Sequence, residues 1–292
     1  MSLRVAACEY PVELLDSLEA WQAKLRRLCT SAVSHGASLL VFPEYAAVEL
    51  TALLPPEVRA DLPGSLRALQ PLREEFLAMH RALAMELNVT ILAGSFPWKV
   101  DGRFLNRAWL CTPDGVTRHQ DKVMMTRFER ESWGISGGEA LEVFDIPGAC
   151  VGVLVCYDSE FPLLARRLCE KGAQVLLVPG CTDTEAGFHR VEISCRARAL
   201  EQQCFVVQAP MAGTADWSPA LDVNTGRAGV FTPVDRGFPD DGILAQGAPP
   251  ETAPWLIADL SLSRLGSVRR HGQVKNFADW PEQLRAVDQA GG

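Results

Sequence analysis

The sequence has no long hydrophobic run and no block of like charge. None of its 292 residues belongs to an apolar stretch of about 18, the length that a membrane-spanning helix needs. The first ten residues, MSLRVAACEY, lack the basic and apolar segments of a signal peptide. The formal net charge of −8 comes from dispersed side chains. We therefore expect neither membrane association nor the basic face of a nucleic-acid-binding protein.

The nine cysteines do not form the patterns that cysteine-rich sites require. No two have CxxC spacing, their number is odd, and several lie within apolar runs, such as Cys8 in VAACEY and Cys204 in CFVVQAP. This distribution is typical of reduced, buried thiols and not of a disulfide framework or a zinc site. We therefore expect a reducing, cytoplasmic compartment and no bound metal.

Common catalytic and nucleotide-binding motifs are also missing. The chain has no GxSxG nucleophile elbow, no HExxH, no GxGxxG and no GxxxxGK[ST]. A Cys–His pair remains open, because spatial neighbours cannot be read from the sequence, although none of the five dispersed histidines lies in a distinctive context. These absences predict a protein without a nucleotide or other cofactor.

Short apolar runs alternate with amphipathic ones along the chain. LRVAACEY (3–10), SLLVFPEY (38–45) and QVLLVPGC (174–181) are typical of buried strands, whereas residues 14–34 and 187–203 have helical spacing. No linker divides the chain, so we expect one α/β domain over 1–292 with a mixed sheet or sheets, and a tail from about 271 that is extended or forms an interface. The other predicted elements are helices at 65–87 and about 160–171, strands at 89–96, 104–113, 142–148, 149–158, 204–210 and 254–262, a hairpin at Asp101-Gly102, an irregular segment at 123–140, and loops with short strands at 211–253.

Three reactive side chains follow predicted strands, where sites in α/β sheets gather. Glu44 closes LLVFPE, Lys122 leaves a strand into an irregular segment, and Cys156 closes VGVLVC just before a predicted helix. Partial burial would raise the pKa of Glu44 and suit it to transfer protons, and a helix N-terminus would lower the pKa of Cys156. Each also has a plainer interpretation: a strand-end surface charge, a solvated lysine and a small buried thiol.

Taken in order, these segments resemble the motifs of the nitrilase superfamily of carbon–nitrogen hydrolases. Glu44 lies in LLVFPEY, Lys122 in DKVMMTRFERE and Cys156 in VLVCYDSEFP, and RARALEQQ (196–203) is similar to the family's Arg-Ala-x-Glu-Asn helix. RAGVFTPVDRG (227–237) departs from the family's Gly-x-Ser stretch. The resemblance implies a four-layer α-β-β-α sandwich with two mixed sheets, and a homodimer formed through helices.

The resemblance also implies a role for each reactive residue. Cys156 would attack the carbonyl or nitrile carbon, Glu44 would transfer protons, and Lys122 would stabilise the oxyanion together with the backbone N–H of Tyr157. Glu129 matches the second glutamate that orients the substrate and the lysine. Hydrolysis of an unreactive amide needs such a nucleophile, proton carrier and oxyanion donor, and two neighbouring carboxylates can hold one proton between them.

The substrate-binding residues are less well defined. Glu160 stands where several relatives carry Arg, so a position facing the pocket would disfavour carboxylate-bearing substrates and favour neutral or cationic amides. The same residue fits a helix N-terminus equally well. Trp133, Cys181 and Thr182 are candidate pocket walls, although Trp133 also fits a core position.

We therefore expect hydrolysis of a small-molecule amide, with an N-carbamoyl amidohydrolase and then a nitrilase as alternatives. CYDSEFP lacks the paired arginines of N-carbamoyl-D-amino acid hydrolases, and nitrilases tend to have Cys-Trp-Glu where this chain has Cys-Tyr-Asp. A binding or scaffold protein with this fold would have no reason to retain both glutamates, the lysine and the cysteine. The lipid-modifying acyltransferase relatives carry membrane spans, which this sequence lacks.

Overall fold

The computed structural model describes residues 2–247 and 254–290, and its strands form two sheets. In chain order the strands are β1 (Ser2–Cys8), β2 (Tyr10–Pro11), β3 (Leu39–Val41), β4 (Thr90–Val100), β5 (Arg103–Cys111), β6 (Thr117–Asp121), β7 (Ile135–Ser136), β8 (Val143–Ile146), β9 (Ala149–Val153), β10 (Val175–Gly180), β11 (Phe205–Thr214), β12 (Val223–Asn224), β13 (Gly229–Phe231), β14 (Ile243–Gln246) and β15 (Trp255–Ser261).

The α-helices are α1 (Leu18–Ser34), α2 (Pro56–Arg59), α3 (Leu62–Leu69), α4 (Arg73–Leu87), α5 (Pro162–Glu170), α6 (Glu185–Gln202), α7 (Leu262–His271) and α8 (Asn276–Ala290). Shorter 3₁₀ turns cover Ala46–Leu53, Gln70–Leu72 and Cys156–Glu160, and a π-turn covers Glu129–Trp133. Among the described residues, no helix combines the length and apolar character that crossing a bilayer requires.

Both sheets are mixed. The first has the order β15-β1-β3-β4-β5-β6, with β7 beside β5, and the second has the order β14-β13-β11-β10-β9-β8, with β12 and β2 beside β11. In each sheet three central strands are parallel, β1-β3-β4 in the first and β9-β10-β11 in the second, and antiparallel strands flank them. The prediction of two mixed sheets is confirmed.

Two buried apolar clusters pack the elements into four layers. Because successive residues of a strand point to opposite faces, β1 contributes to both clusters. Val5 and Ala7 belong to the cluster that contains the second sheet, α5 and α6, whereas Ala6 and Cys8 belong to the cluster that contains α1 and α4. The layers therefore follow the predicted order α-β-β-α, with α1 and α4 on one outside and α5 and α6 on the other.

The expectation of a single helix over 65–87 is wrong. α3 ends at Leu69, a 3₁₀ turn covers Gln70–Leu72, and α4 begins at Arg73. Pro71 lies in this turn and has no N–H to donate to a helical hydrogen bond, so it interrupts the helix.

Two other helices begin later than predicted. α1 begins at Leu18 because Ser17 caps it, its side-chain oxygen accepting a hydrogen bond from the backbone N of Ala20 at 3.1 Å. α5 begins at Pro162, after the 3₁₀ turn at 156–160. Cys156 is therefore followed first by a short turn and not directly by an α-helix.

The C-terminal segment is helical where the structure describes it. α8 covers Asn276–Ala290, so the expectation of an extended tail is wrong for these residues. The interface-forming alternative stays a prediction, as does the single domain over 1–292. The segment 211–253 contains the expected short strands, β12 to β14, while residues 248–253 lie outside the described residues.

A buried ion pair anchors the segment that follows Glu44. Glu49, in the 3₁₀ turn at Ala46–Leu53, is fully buried. It accepts hydrogen bonds from Nζ of Lys24 on α1 and from the hydroxyl of Tyr10 on β2, both at 2.5 Å. β2 in turn pairs with β11 of the second sheet. A buried charge is tolerated when it is paired and hydrogen-bonded, so these contacts hold the turn after Glu44 against α1 and the junction of the two sheets.

Candidate active site

Four of the predicted site residues line one cavity of about 440 Å³. Glu44 follows β3 and Lys122 follows β6 of the first sheet, Cys156 follows β9 of the second, and Glu129 begins the π-turn after Lys122. All four are at most 4% exposed. The structure therefore brings together side chains from distant parts of the chain at the ends of strands in both sheets.

The Lys122 ammonium lies between two carboxylates. Its Nζ is 2.8 Å from Oε1 of Glu44 and 2.6 Å from Oε2 of Glu129. Burial by itself lowers the pKa of Lys122, but the two carboxylates outweigh burial and raise the pKa well above its ordinary value. Lys122 is therefore a permanent cation, and the solvated lysine considered from the sequence does not occur.

Cys156 begins its turn with a strained backbone. Its φ is +50°, in the left-handed region that residues other than glycine seldom adopt. The hydroxyl of Ser159 donates to the carbonyl oxygen of Cys156 at 2.7 Å, and Sγ lies 3.9 Å from the carbonyl oxygen of Cys181. The turn therefore holds the thiol in one direction, toward the cavity that it lines.

The expected lowering of the Cys156 pKa is wrong. Burial raises the pKa of the thiol well above its ordinary value, Glu44 raises it further, and Lys122 only partly opposes them. A helix N-terminus next to the thiol would lower its pKa, but α5 begins six residues after Cys156. Cys156 is therefore a neutral thiol that needs a base before it can react.

The two oxygens of Glu44 have different partners. Oε1 accepts hydrogen bonds from Nζ of Lys122 and Nδ2 of Asn106, both at 2.8 Å, and Oε2 accepts one from the backbone N of Cys181 at 3.0 Å. The Cys156 thiol lines the same cavity as this carboxylate, whose charge raises the pKa of the thiol. Burial raises the pKa of Glu44 despite the opposing effect of Lys122, which agrees with the direction expected from the sequence.

Glu129 accepts five hydrogen bonds. Oε1 accepts from the hydroxyl of Tyr45 at 2.6 Å and from Nδ2 of Asn106 at 3.2 Å. Oε2 accepts from Nζ of Lys122 at 2.6 Å and from the backbone N and hydroxyl of Thr126 at 2.9 and 2.8 Å. Burial alone would raise the pKa of Glu129, but Lys122 and these donors lower it. Glu129 is therefore the carboxylate that stays ionised.

Asp158, which the sequence analysis did not single out, connects the two halves of the site. Its carboxylate accepts hydrogen bonds from the backbone N of Val123 at 3.1 Å, of Met124 at 2.7 Å and of Val155 at 3.2 Å. It thus joins the segment after Lys122 to the turn at Cys156. Burial raises the pKa of Asp158 to about 7. An acidic residue directly after Cys-Tyr was the available signal.

All five candidate substrate-binding residues line the same cavity. Trp133 is 2% exposed and its ring centroid lies 4.6 Å from that of Tyr45, so it is both a cavity wall and a core residue. The hydroxyl of Thr182 donates to the carbonyl oxygen of Thr225 at 2.6 Å. The five residues are Trp133, Tyr157, Glu160, Cys181 and Thr182.

Glu160 faces the cavity but its charge is offset. Its Oε1 lies 3.6 Å from Nε of Arg190, which lines the cavity as well. The segment 211–253, whose role the sequence did not define, supplies another part of the rim through Pro219, Ala220 and Val223. The walls therefore combine apolar surface with charged groups, among them the Glu160–Arg190 pair.

Comparisons with known proteins agree on one family. The sequence profile described as carbon-nitrogen hydrolase matches residues 4–270. The chain is 30% identical over 278 residues to the probable hydrolase YhcX of Bacillus subtilis, which covers 95% of this chain and 53% of that protein. It is 29% identical over 266 residues to omega-amidase NIT2-B of Xenopus laevis, covering 86% of this chain and 87% of that protein. The chain thus spans about half the length of the Bacillus relative.

A solved structure has the same fold. The C. elegans NitFhit protein superposes with a TM-score of 0.72 at 22% identity, covering 92% of this chain and 63% of that chain. At this identity the likeness concerns the fold alone.

The raised pKa of Asp158 predicts a specific pH dependence of stability. The folded-state pKa of about 7 lies above the ordinary value of 3.8, so the folded protein binds this proton more tightly than the unfolded chain. The resulting stabilisation is present below pH 4 and is lost as the pH rises through 7. We expect Asp158→Asn to remove this contribution, so that its free energy of unfolding, relative to the wild type, rises by about 3–4 kcal/mol between pH 4 and 7.

Denaturant unfolding at several pH values measures this difference. Asp145→Asn, at an exposed position on β8, is the matched control and should give a curve parallel to that of the wild type. Parallel curves for Asp158→Asn and the wild type would contradict the expectation.

Proposed function

The chain belongs to the carbon-nitrogen hydrolase family, and from this membership and the cavity's geometry we propose that it is an amidase that hydrolyses a small linear amide through a thioester on Cys156. One observation carries the proposal: a buried ammonium that contacts two carboxylates beside a thiol, in a cavity large enough for a small molecule. Relatives described as omega-amidases support the choice of an amide.

The first step joins nucleophilic attack to proton transfer. Burial and the charge of Glu44 keep the Cys156 thiol neutral before substrate binds. As Sγ attacks the carbonyl carbon of the amide, Glu44 accepts the thiol proton, and the carbonyl π electrons move to the oxygen. A base that lines the same cavity as the nucleophile makes this possible without a free thiolate.

Lys122 stabilises the oxyanion that forms. An ammonium has three N–H donors, of which Glu44 and Glu129 occupy two. We assign the third to the oxygen of the tetrahedral intermediate, together with the backbone N–H of Tyr157, which lines the cavity. A cation fixed in a water-excluded site is an effective oxyanion donor because it needs no reorganisation during the reaction.

Glu44 then completes both halves of the reaction. Its proton passes to the nitrogen of the amide, so ammonia or an amine leaves and a thioester remains. Glu44, ionised again, takes a proton from the water that attacks the thioester, and returns it to Sγ as the acid leaves. Glu129 stays ionised as the counter-ion of Lys122, because its pKa is lowered whereas that of Glu44 is raised.

The proposal specifies the amide group of the substrate and does not depend on the charge at the other end of the substrate. Arg190 offsets the charge of Glu160, so this glutamate does not by itself repel a carboxylate. Carbamoyl compounds and nitriles are the alternatives, and ammonia release from a panel of amides, carbamoyl compounds and nitriles separates them. We also propose a reducing, cytoplasmic compartment, because all nine cysteines are free thiols.

Substitution of three of the four buried groups tests the chemistry. We expect Cys156→Ala to release no ammonia above background while remaining folded. Glu44→Gln should lose about 10²–10⁴-fold in kcat because the proton carrier is gone. Lys122→Met should lose about 10²–10³-fold or more because the oxyanion donor is gone. Ammonia release measures each rate, and circular dichroism checks the fold.

Cys150→Ala is the matched control, since this second, partly buried thiol lies on β9 and does not line the cavity. It should retain turnover, and an acyl-enzyme trapped from the wild type should carry its added mass on the peptide that contains Cys156. Turnover by Cys156→Ala would reject the proposal.

The raised pKa of Glu44 predicts where activity falls in acid. Glu44 accepts the thiol proton only when ionised, and its pKa lies above the ordinary 4.5. As the pH falls, the protonated fraction grows, so kcat/KM should decline with an apparent pKa above 4.5. Stopped assays from pH 4 to 9 measure the profile. If the Asp158→Asn variant shows the same decline, the decline belongs to Glu44. A wild-type profile that is flat down to pH 4.5 would contradict the prediction.

The family resemblance implies a dimer formed through helices, and we propose that these helices are α5 and α6. Leu163 on α5 is 66% exposed, and Ile193 and Leu200 on α6 are 64% and 41% exposed. Ile193 and Leu200 are two turns apart and share one face of α6. Exposed apolar side chains on one outer layer favour burial against a second copy.

Ile193→Glu should shift the protein from dimer to monomer, because it places a charge in the proposed interface. Sedimentation equilibrium measures the change. Val116→Glu, at an exposed position beside β6, is the control and should leave the dimer intact. A wild-type monomer would reject this association.

A further inference from the structure

Asn106 contacts both carboxylates of the proposed site through its side chain and Lys122 through its backbone. It lies within β5 and is fully buried. Its Nδ2 donates to Oε1 of Glu44 at 2.8 Å and to Oε1 of Glu129 at 3.2 Å. Its backbone carbonyl oxygen accepts a hydrogen bond from the backbone N of Lys122 at 2.9 Å. A buried amide in a strand costs stability unless it is hydrogen-bonded. The two hydrogen bonds from Nδ2 offset this cost.

The other half of the Asn106 amide is unsatisfied. Oδ1 is buried and has no hydrogen-bond partner among the residues that the structure describes. Turning the amide over would direct Oδ1 at two carboxylates and remove both hydrogen bonds, so the observed orientation is the favourable one. An unpaired buried acceptor is destabilising, and a leucine would avoid that cost. The two N–H donors therefore account for an amide at this position.

These donors distinguish the two oxygens of Glu44. Each carboxylate oxygen can accept about two hydrogen bonds, and Oε1 is filled by Lys122 and Asn106. Among the described residues, Oε2 accepts one hydrogen bond, from the backbone N of Cys181, which leaves one acceptor position on this oxygen. A proton on Oε1 would collide with a donor, whereas a proton on Oε2 has room.

Building on the proposed amidase function, we propose that Asn106 is a positioning residue that confines the catalytic proton of Glu44 to Oε2. The proton accepted from the Cys156 thiol then sits where it can pass to the leaving nitrogen. An amide suits this task because it orients the carboxylate without adding charge. A second cation would stabilise the ionised carboxylate and weaken Glu44 as a base.

Asn106→Leu tests the proposal by removing both donors while nearly preserving volume. We expect kcat to fall by about 10²-fold with KM changed less than threefold, because proton transfer and not binding is affected. The acid limb of kcat/KM should move to higher pH by about one unit, because the ionised form of Glu44 loses a donor.

Gln208→Leu is the matched control. Gln208 is a buried amide on β11 whose Oε1 also has no partner in the described part of the chain, and its side chain hydrogen-bonds to neither carboxylate. It should keep the wild-type acid limb. If Asn106→Leu does not fold, Asn106→Ser, which retains one donor, is measured in the same way. Its acid limb should move in the same direction but by less.

A wild-type kcat in Asn106→Leu would overturn the proposal, and so would a reduced kcat with an unshifted acid limb, which indicates a structural role only. Alkylation of Cys156 by iodoacetamide separates this test from the proposed function, since it needs no amide turnover. Its pH dependence should shift upward in Asn106→Leu even if the wild type hydrolyses no amide in the panel. An unshifted alkylation profile would overturn the proposal as well.

Discussion

The contact on which the site depends is the buried ammonium of Lys122 between the carboxylates of Glu44 and Glu129. Removing three charges from water is costly, and their mutual attraction repays this only when geometry and additional hydrogen bonds are good. Here the remaining acceptor positions are largely filled by Asn106, Tyr45 and Thr126. With two negative charges and one positive, the cluster has room for one proton, and the unequal surroundings of the two carboxylates place it on Glu44.

The two-sheet architecture is what holds this cluster beside a thiol. Glu44 and Lys122 leave strands of the first sheet and Cys156 leaves a strand of the second, so the interface between the sheets sets their separation. Asp158 bridges the two sides through three backbone N–H groups. Two strained backbone positions lie at the same place, since Cys156 and Tyr45, which directly follows Glu44, both have left-handed φ values. Such strain persists only when the surrounding contacts offset its energy. The Glu49–Lys24 pair contributes to this by anchoring the turn after Tyr45.

The sequence predicted the layered fold and the residues that carry a recognisable local pattern. Glu44, Lys122 and Cys156 each end an apolar run, and their order along the chain resembles one family. Asn106 was missed because its significance lies in contacts with residues 62 and 23 positions away, which strand periodicity does not reveal. The break between α3 and α4 was missed although Pro71 marks it, because the apolar spacing continues through it. The direction of the Cys156 pKa was wrong because burial, a property of the whole fold, outweighs the local turn.

A thiol with a raised pKa suits amide hydrolysis better than a stable thiolate would. The nucleophilicity of a thiolate increases with its pKa, so a thiolate formed only during attack is the more reactive one. The tetrahedral intermediate must then expel nitrogen and not sulfur. A more basic thiolate leaves less readily, and protonation of the nitrogen by Glu44 makes the amine leave more readily. Both effects require the proton to reside on Glu44, and both are lost if burial of the thiol is relieved. The burial that makes Cys156 unreactive alone is thus what directs the intermediate toward release of the amine.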